Sequence, residues 1–156
     1  MEKSPFFLNN TEYSLFSFIT SFLCYIIKTY KEVILDTENF KNEIVEVLKE
    51  KKAKDLISIE VRDVTTLTDY FVICTGTSDR HRKSMADDVQ EKAEALGMTV
   101  SMPVEGYNQS KWILIDCMDV VVNIFEKETR SRYNLEKLWS DGVLEEIREN
   151  NKEEKK

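Results

Sequence analysis

The sequence predicts an α/β domain in which a single mixed β-sheet is flanked by helices. Three features carry this expectation. The run Asp69-Tyr70-Phe71-Val72-Ile73-Cys74-Thr75 is nearly all apolar, as in a strand buried on both faces. The turn Gly76-Thr77-Ser78 leads from it into a helical stripe of Met85, Val89, Ala93 and Leu96. Helical and strand patterns are interleaved without strict alternation, which favours one mixed sheet over a doubly wound parallel one.

The elements follow in order. Asp36 or Thr37 is placed to cap a first helix, because a side-chain oxygen there can accept a free backbone N–H. Phe40, Ile44, Val47 and Leu48 give that helix one apolar stripe. The run Lys49-Glu50-Lys51-Lys52-Ala53-Lys54-Asp55 ends it as a solvated charged turn. Leu56 to Val61 partly alternates and reads as a strand, followed by the strand from Asp69 to Thr75. Ser78 caps the next helix, Asp79 suits its dipole, and Gly97 stops it near Leu96. Three strands are expected over Met98 to Met102, Lys111 to Ile115 and Val120 to Phe125, with a loop over 103–110 and a tight turn from Asp116 to Asp119. A final helical stretch from Lys127 carries Tyr133, Leu135, Leu138 and Trp139. Val143, Leu144 and Ile147 form one more apolar set in the tail. The expected order is α-β-β-α-β-β-β-α.

The chain has 156 residues, enough for one ordinary domain and an extension. Apolar residues make up 42% and charged residues 33%, with a net charge of −7. Phosphate contacts draw on Lys and Arg, so this balance argues against DNA binding and broad RNA binding. It suits a basic partner. Cys24, Cys74 and Cys117 are widely spaced and His81 is the lone histidine, so neither a disulfide framework nor a zinc site is indicated. Buried thiols in a reducing, cytoplasmic setting fit better.

Residues 1–36 differ from the rest. Tyr13 to Ile27 carries no charge, yet is shorter than the roughly 20 residues of a membrane-spanning helix. Glu2 and Lys3 cancel and no small-residue cleavage site follows, unlike a secretory signal. A docked amphipathic helix, a membrane-surface segment and translated sequence upstream of the true start remain, the last being favoured. The expected division is an extension over 1–36, a domain over 37–150 and a charged tail over 151–156.

The natural place for enzyme chemistry is the strand–Gly-Thr-Ser–helix element, whose backbone N–H groups could hold a phosphate beside Arg80, His81, Arg82 and Lys83. Nucleotidyl transfer would also need clustered carboxylates for Mg²⁺. Asp87 and Asp88 are adjacent in a helix and diverge by about 100°. Asp116 and Asp119 flank a turn. No D-x-D, Walker or G-x-G-x-x-G motif is present. The expectation is therefore no enzyme, cofactor or metal, with Gly76 permitting a turn and Ser78 capping a helix. His81 reads as a capping or surface histidine. Trp112, Tyr133 and Trp139 suit either a core or a protein–protein hot spot.

Three ordered blocks carry a family resemblance: DYFVICTGTSDRH (Asp69 to His81), PVEGYNQSKWILIDCMDVVVNIF (Pro103 to Phe125) and SRYNLEKLWSD (Ser131 to Asp141). Over about Thr37 to Asp141 the chain resembles the ribosome silencing factor, or Iojap-like, family. The resemblance implies a nucleotidyltransferase-like fold that lacks the catalytic carboxylates. It implies a translational repressor that binds the large ribosomal subunit through ribosomal protein L-fourteen and sterically blocks the small subunit. It also implies a role in large-subunit biogenesis for organelle relatives. Direct rRNA contact would be minor, and a homodimer is compatible with the sequence. Carried over by motif, the partner-binding residues are Trp112, Asp116, Asp119, Tyr133, Leu135 and Trp139, with Glu105 as a second-rank acidic candidate. Trp112 and Tyr133 are the expected apolar anchors. Met118 stands where the family usually has Gly, at a turn position that can require positive φ. Asn123 stands where the family usually has His. The competing readings are a Mg²⁺-dependent nucleotidyltransferase and a direct RNA-binding module.

Overall fold

The computed structural model describes residues 22–23, 26, 37–101 and 103–148. The chain divides into two units, Met1–Asp36 and Thr37–Lys156. In the first, Phe22, Leu23 and Ile26 are helical and exposed. The remainder of the charge-free run, Cys24, the Asp36 cap and the tail over 151–156 lie outside the described residues.

The second unit is built on a five-stranded mixed sheet. Helix α1 covers residues 37–50 and precedes strand β1 (Lys54–Glu60). Strand β2 (Tyr70–Thr75) is followed by helix α2 (Asp79–Ala95). Strands β3 (Trp112–Asp116) and β4 (Val120–Phe125) form a hairpin. Two short helices, α3 (Lys127–Tyr133) and α4 (Leu135–Leu138), lead to strand β5 (Val143–Glu146). The spatial order is β3-β4-β2-β1-β5. β2 and β4 run parallel at the centre, and the other pairs are antiparallel.

Alternation along the strands separates two apolar layers. One face presents Tyr70, Val72 and Cys74 of β2 with Val120, Val122 and Ile124 of β4 and Ile113 and Ile115 of β3. Phe40, Ile44, Val45 and Leu48 of α1 cover it, together with Met85, Ala86, Val89 and Ala93 of α2. Val47 is only partly buried against this layer, so Val45 takes the central place expected for it. The opposite face presents Ile57, Ile59, Phe71, Ile73 and Phe125, and among the described residues its cover is much thinner.

Ser78 caps α2 as expected, with Oγ accepting the His81 N–H at 3.2 Å. Gly76 serves close packing: a Cβ there would lie 2.3 Å from Arg82 Cγ and 2.8 Å from Met85 Cε. A methyl group would push α2 off the sheet.

Three expectations need correction. Residues 98–101 form no strand. They run beside β3, held by Ser101 N–H to the Asp116 carbonyl at 2.8 Å and an isolated Glu105–Leu114 bridge. Pro103 lies between these contacts and has no N–H to donate, so the ladder cannot close. Met102 is outside the described residues. The final helix is two helices, broken where Asn134 adopts φ 46° and ψ 62°. The tail residues Val143 and Leu144 belong to β5, an edge strand too short to show clear alternation.

The Asp116–Asp119 turn has the expected left-handed position, with Met118 at φ 69°. Met118→Gly should therefore stabilise the domain by about 0.5–1 kcal/mol, the relief of a left-handed L-residue less glycine's larger unfolded-state entropy. A urea midpoint at or below that of the parent would contradict this. Cys74 and Cys117 are fully buried, and burial pushes both thiols up to about 12. Both should resist iodoacetamide at about pH 8 and react on unfolding. Because the native thiols stay protonated while unfolded ones ionise, their contribution to stability is present below about pH 8.5 and lost as pH rises from there towards 12.

Candidate partner-binding face

The thinly covered sheet face holds most of the residues singled out in the sequence. β3 places Trp112, Leu114 and Asp116 on it, opposite Phe125, Asn123 and Val121 of β4. Trp112 is half-buried. Its ring stacks on Phe125 at a centroid distance of 4.9 Å and tilts against Tyr133 at 4.8 Å. Its Nε1–H donates to Asn123 Oδ1 at 2.9 Å. Tyr133 is 54% exposed, so the cluster is fixed from below and open from above.

The break at Asn134 makes this arrangement possible. Asn tolerates the left-handed region better than other residues that carry a Cβ. Its N–H closes α3 onto the Arg130 carbonyl, and its side chain accepts the Lys137 N–H to open α4. A continuous helix would carry Tyr133 and Leu135 about 200° apart. The break instead leaves Tyr133 against Trp112 and turns Leu135 into the second apolar layer. Trp139, just past α4, stacks on Phe71 at 4.9 Å. Arg130 secures α3 to the sheet: it donates to the Asp55 carbonyl at 2.7 Å, Thr75 Oγ1 at 3.0 Å and Glu136 at 2.7 Å.

The candidates thus fall into distinct places. Trp112 and Tyr133 form one aromatic cluster. Trp139 lies farther along the same face over β2. Leu135 is buried and supports the cluster from beneath. Asp116 shares the face at the far end of β3, but its carboxylate also shapes the hairpin, with Oδ1 accepting the Met118 N–H at 2.9 Å and Oδ2 the Ser101 hydroxyl at 3.1 Å. Asp119 is exposed at the turn, and its carbonyl accepts the N–H groups of Asp69 and Tyr70. Glu105 is exposed on the outer side of β3. Among the described residues, no cation of the chain pairs with Asp116, Asp119 or Glu105.

Sequence reasoning missed Leu114, Asn134 and Arg130. The alternation Trp112-Ile113-Leu114-Ile115-Asp116 was a usable signal for Leu114. Asn134 inside an apparently continuous helix was a usable signal for the break.

The Gly-Thr-Ser element leaves β2 at the same end of the sheet as Trp112 and Phe125, with the Gly76 N–H donating to the Phe125 carbonyl at 2.9 Å, and lines an open groove of about 900 Å³ together with Glu126, Lys127 and Glu128. Its basic residues are largely engaged. Arg82 is buried, donating to the Gly76 and Ser110 carbonyls and to Asp79. His81 Nε2 is 2.7 Å from the Lys51 carbonyl, which can only accept, so this nitrogen carries the proton. Nδ1 then accepts the Thr77 N–H at 3.1 Å. Both ring nitrogens are used in tying α1's end to α2's start. Asp87 accepts from the Tyr107 hydroxyl, whereas Asp88 pairs with Lys51. The described residues contain no cluster of metal-ligating side chains.

A family model described as "Ribosomal silencing factor during starvation" matches residues 35–156. The chain belongs to the ribosomal silencing factor family. A ribosomal silencing factor of Bacillus subtilis (strain 168) is 38% identical over 98 residues, covering 63% of this chain and 82% of the relative. The mouse protein named mitochondrial assembly of ribosomal large subunit protein 1 is 33% identical over 99 residues, covering 62% of this chain and 43% of that one. A crystal structure from Chromobacterium violaceum has 31% identity and a TM-score of 0.63, covering 66% of this chain and 85% of that chain. One from Bacillus halodurans has 33% identity and a TM-score of 0.61, covering 70% and 99%. These neighbours share the α/β class found here, and membership of the family ties the chain to ribosome silencing and the regulation of translation.

Asn134→Ala should cost about 1–2 kcal/mol, because it removes a helix cap and forces a Cβ-bearing residue without a local acceptor into the left-handed region. Asn134→Gly should cost only a few tenths. Equal urea midpoints for the Ala variant and the parent would contradict the role assigned to the break.

Proposed function

We propose that this silencing factor is a non-catalytic repressor that docks on the large ribosomal subunit through ribosomal protein L-fourteen and sterically excludes the small subunit. The carrying observation is the aromatic cluster of Trp112, Phe125 and Tyr133, packed from below and open above on a sheet face that, among the described residues, only α3 and α4 cover. Rigid aromatics with few rotors suit a protein–protein anchor. Family membership supports the ribosomal setting, and the printed name of the mouse relative supports the large subunit. L-fourteen itself comes from the family resemblance.

Asp116, Asp119 and Glu105 surround β3 with negative charge and would meet Lys or Arg of a basic protein. The net charge of −7 agrees with such a partner and disfavours rRNA as the main contact. The enzyme reading is weaker, since Arg82 and His81 are engaged structurally and Asp87 and Asp88 go to separate partners. Exclusion of a subunit needs only occupancy, and hence no cofactor. The working domain is residues 37–150, with 1–36 an extension and 151–156 a charged tail; the setting is the cytoplasm. A contribution to large-subunit assembly would use the same docking face.

Sucrose-gradient sedimentation with purified subunits tests this. The protein should travel with the large subunit and reduce joined ribosomes at joining Mg²⁺. Trp112→Ala and Tyr133→Ala should each weaken binding by about 2–4 kcal/mol, the usual loss for an aromatic hot spot. Binding should fall less steeply with salt than a phosphate-based contact would. Protein that stays at the top of the gradient, or alanine variants that bind like the parent, would count against the reading.

A further inference from the structure

Asn123 stands in the middle of β4 with its side chain on the aromatic face and only 1% of its surface exposed. Its lateral partners across the sheet are Leu114 and Ile73. An amide is an unexpected residue at that level of an apolar sheet. It makes one side-chain hydrogen bond, from the Trp112 indole N–H to Oδ1 at 2.9 Å. Its Nδ2 is buried with no acceptor among the described residues. Flipping the amide would not help, because it would set the NH₂ group against the indole N–H, donor against donor. A buried donor left without a partner costs stability, whereas an apolar side chain of similar volume would carry no such cost. The amide is therefore not explained by stability. What it supplies is an acceptor for Trp112.

Trp112 and Asn123 are diagonal neighbours on one face, since Trp112 pairs with Phe125 and Asn123 with Leu114. The hydrogen bond fixes how the indole lies, and with it the contacts to Phe125 and Tyr133. Without that acceptor the indole N–H would have to turn towards water, loosening both ring contacts. A partner would then meet an aromatic side chain that must be ordered at the moment of binding, which weakens association.

We propose that Asn123 is a positioning residue of the docking face, whose Oδ1 holds Trp112 in its binding orientation at the expense of fold stability. This rests on the docking reading above. It also assigns a function to a residue that contacts no partner.

The test uses Asn123→Leu and Asn123→His in the full chain, with Trp112→Ala alongside. The protein has two tryptophans, Trp112 and Trp139, and hence two indole N–H resonances in a ¹⁵N-correlated spectrum. Asn123→Leu should move the Trp112 resonance and speed its solvent exchange, leaving the Trp139 resonance in place. It should weaken large-subunit binding about five- to tenfold, the scale of one net hydrogen bond, while the thermal midpoint holds or rises. Asn123→His retains an acceptor nitrogen and should restore both the resonance and binding to within about twofold. Parent-like binding by Asn123→Leu, with Trp112→Ala weakened, overturns the positioning role and leaves the docking reading intact. Parent-like binding by Trp112→Ala overturns the docking reading and the positioning role with it. Should Asn123→Leu unfold, Asn123→His decides: an indole resonance that shifts while binding is unchanged overturns the role.

Discussion

The parallel pairing of β2 with β4 is the constraint from which the rest of the domain follows. Six residue pairs run in unbroken register from Tyr70 with Val120 to Thr75 with Phe125. Parallel neighbours cannot be joined by a tight turn, so the chain must cross from the end of β2 back to the start of β4. Helix α2 makes that crossing, the chain then returns along β3 from Ser101 beside Asp116 to Trp112, and β3 runs back again to enter β4 through the hairpin. The crossing helix needs an apolar floor, and the residues of β2 and β4 on one side provide it. Helix α1 shares that floor. The two longer helices are thereby committed to a single face, and among the described residues the other face is left to α3 and α4, which have only 7 and 4 residues.

That asymmetry leaves part of one sheet face free for a partner. A sheet face covered along its whole length would be core. Here Trp112, Leu114 and Asp116 extend past the cover on the edge strand β3. The two short helices brace the aromatic patch without sealing it. Asn134 provides the change of direction, Arg130 ties α3 to the ends of β1 and β2, and Leu135 fills the space below. The same elements that stabilise the second apolar layer therefore set the shape of the candidate docking face. Changes there couple stability to recognition, and the two must be measured separately.

The fold was legible where periodicity and burial coincide. β2 is buried on both faces and contains no charged residue, and α2 has a clean stripe, a capping Ser78 and a terminating Gly97. β4 was legible in full, from Val120 to Phe125. The segment over 98–101 misled because Met98 and Val100 are apolar through packing on the core, not through strand pairing. β5 was illegible as a strand because four exposed residues, two of them Glu, carry no period. The aromatic candidates were identifiable by residue type, but their grouping was not. Tyr133 lies against Trp112 while Leu135, two residues on, enters the second apolar layer, because a left-handed residue interrupts a stretch that reads as continuous helix. The value of Leu114 depends on knowing that the face above it is open. His81 and Arg82 show the converse: a basic run beside a glycine turn resembles a phosphate site until its hydrogen bonds are traced.

The central claim is that the aromatic sheet face, and not the groove at the Gly-Thr-Ser turn, meets the large subunit through protein. Site-specific photocrosslinking tests it most directly, with benzoylphenylalanine placed at Tyr133 in one protein and at Arg80 in another, each mixed with purified large subunits. Tyr133 is exposed within the aromatic cluster, and Arg80 is exposed at the groove. The account predicts a crosslink from position 133 to one basic ribosomal protein, L-fourteen, and none to that protein from position 80. Crosslinking of position 133 to rRNA alone, or capture of the subunit only from position 80, would contradict it.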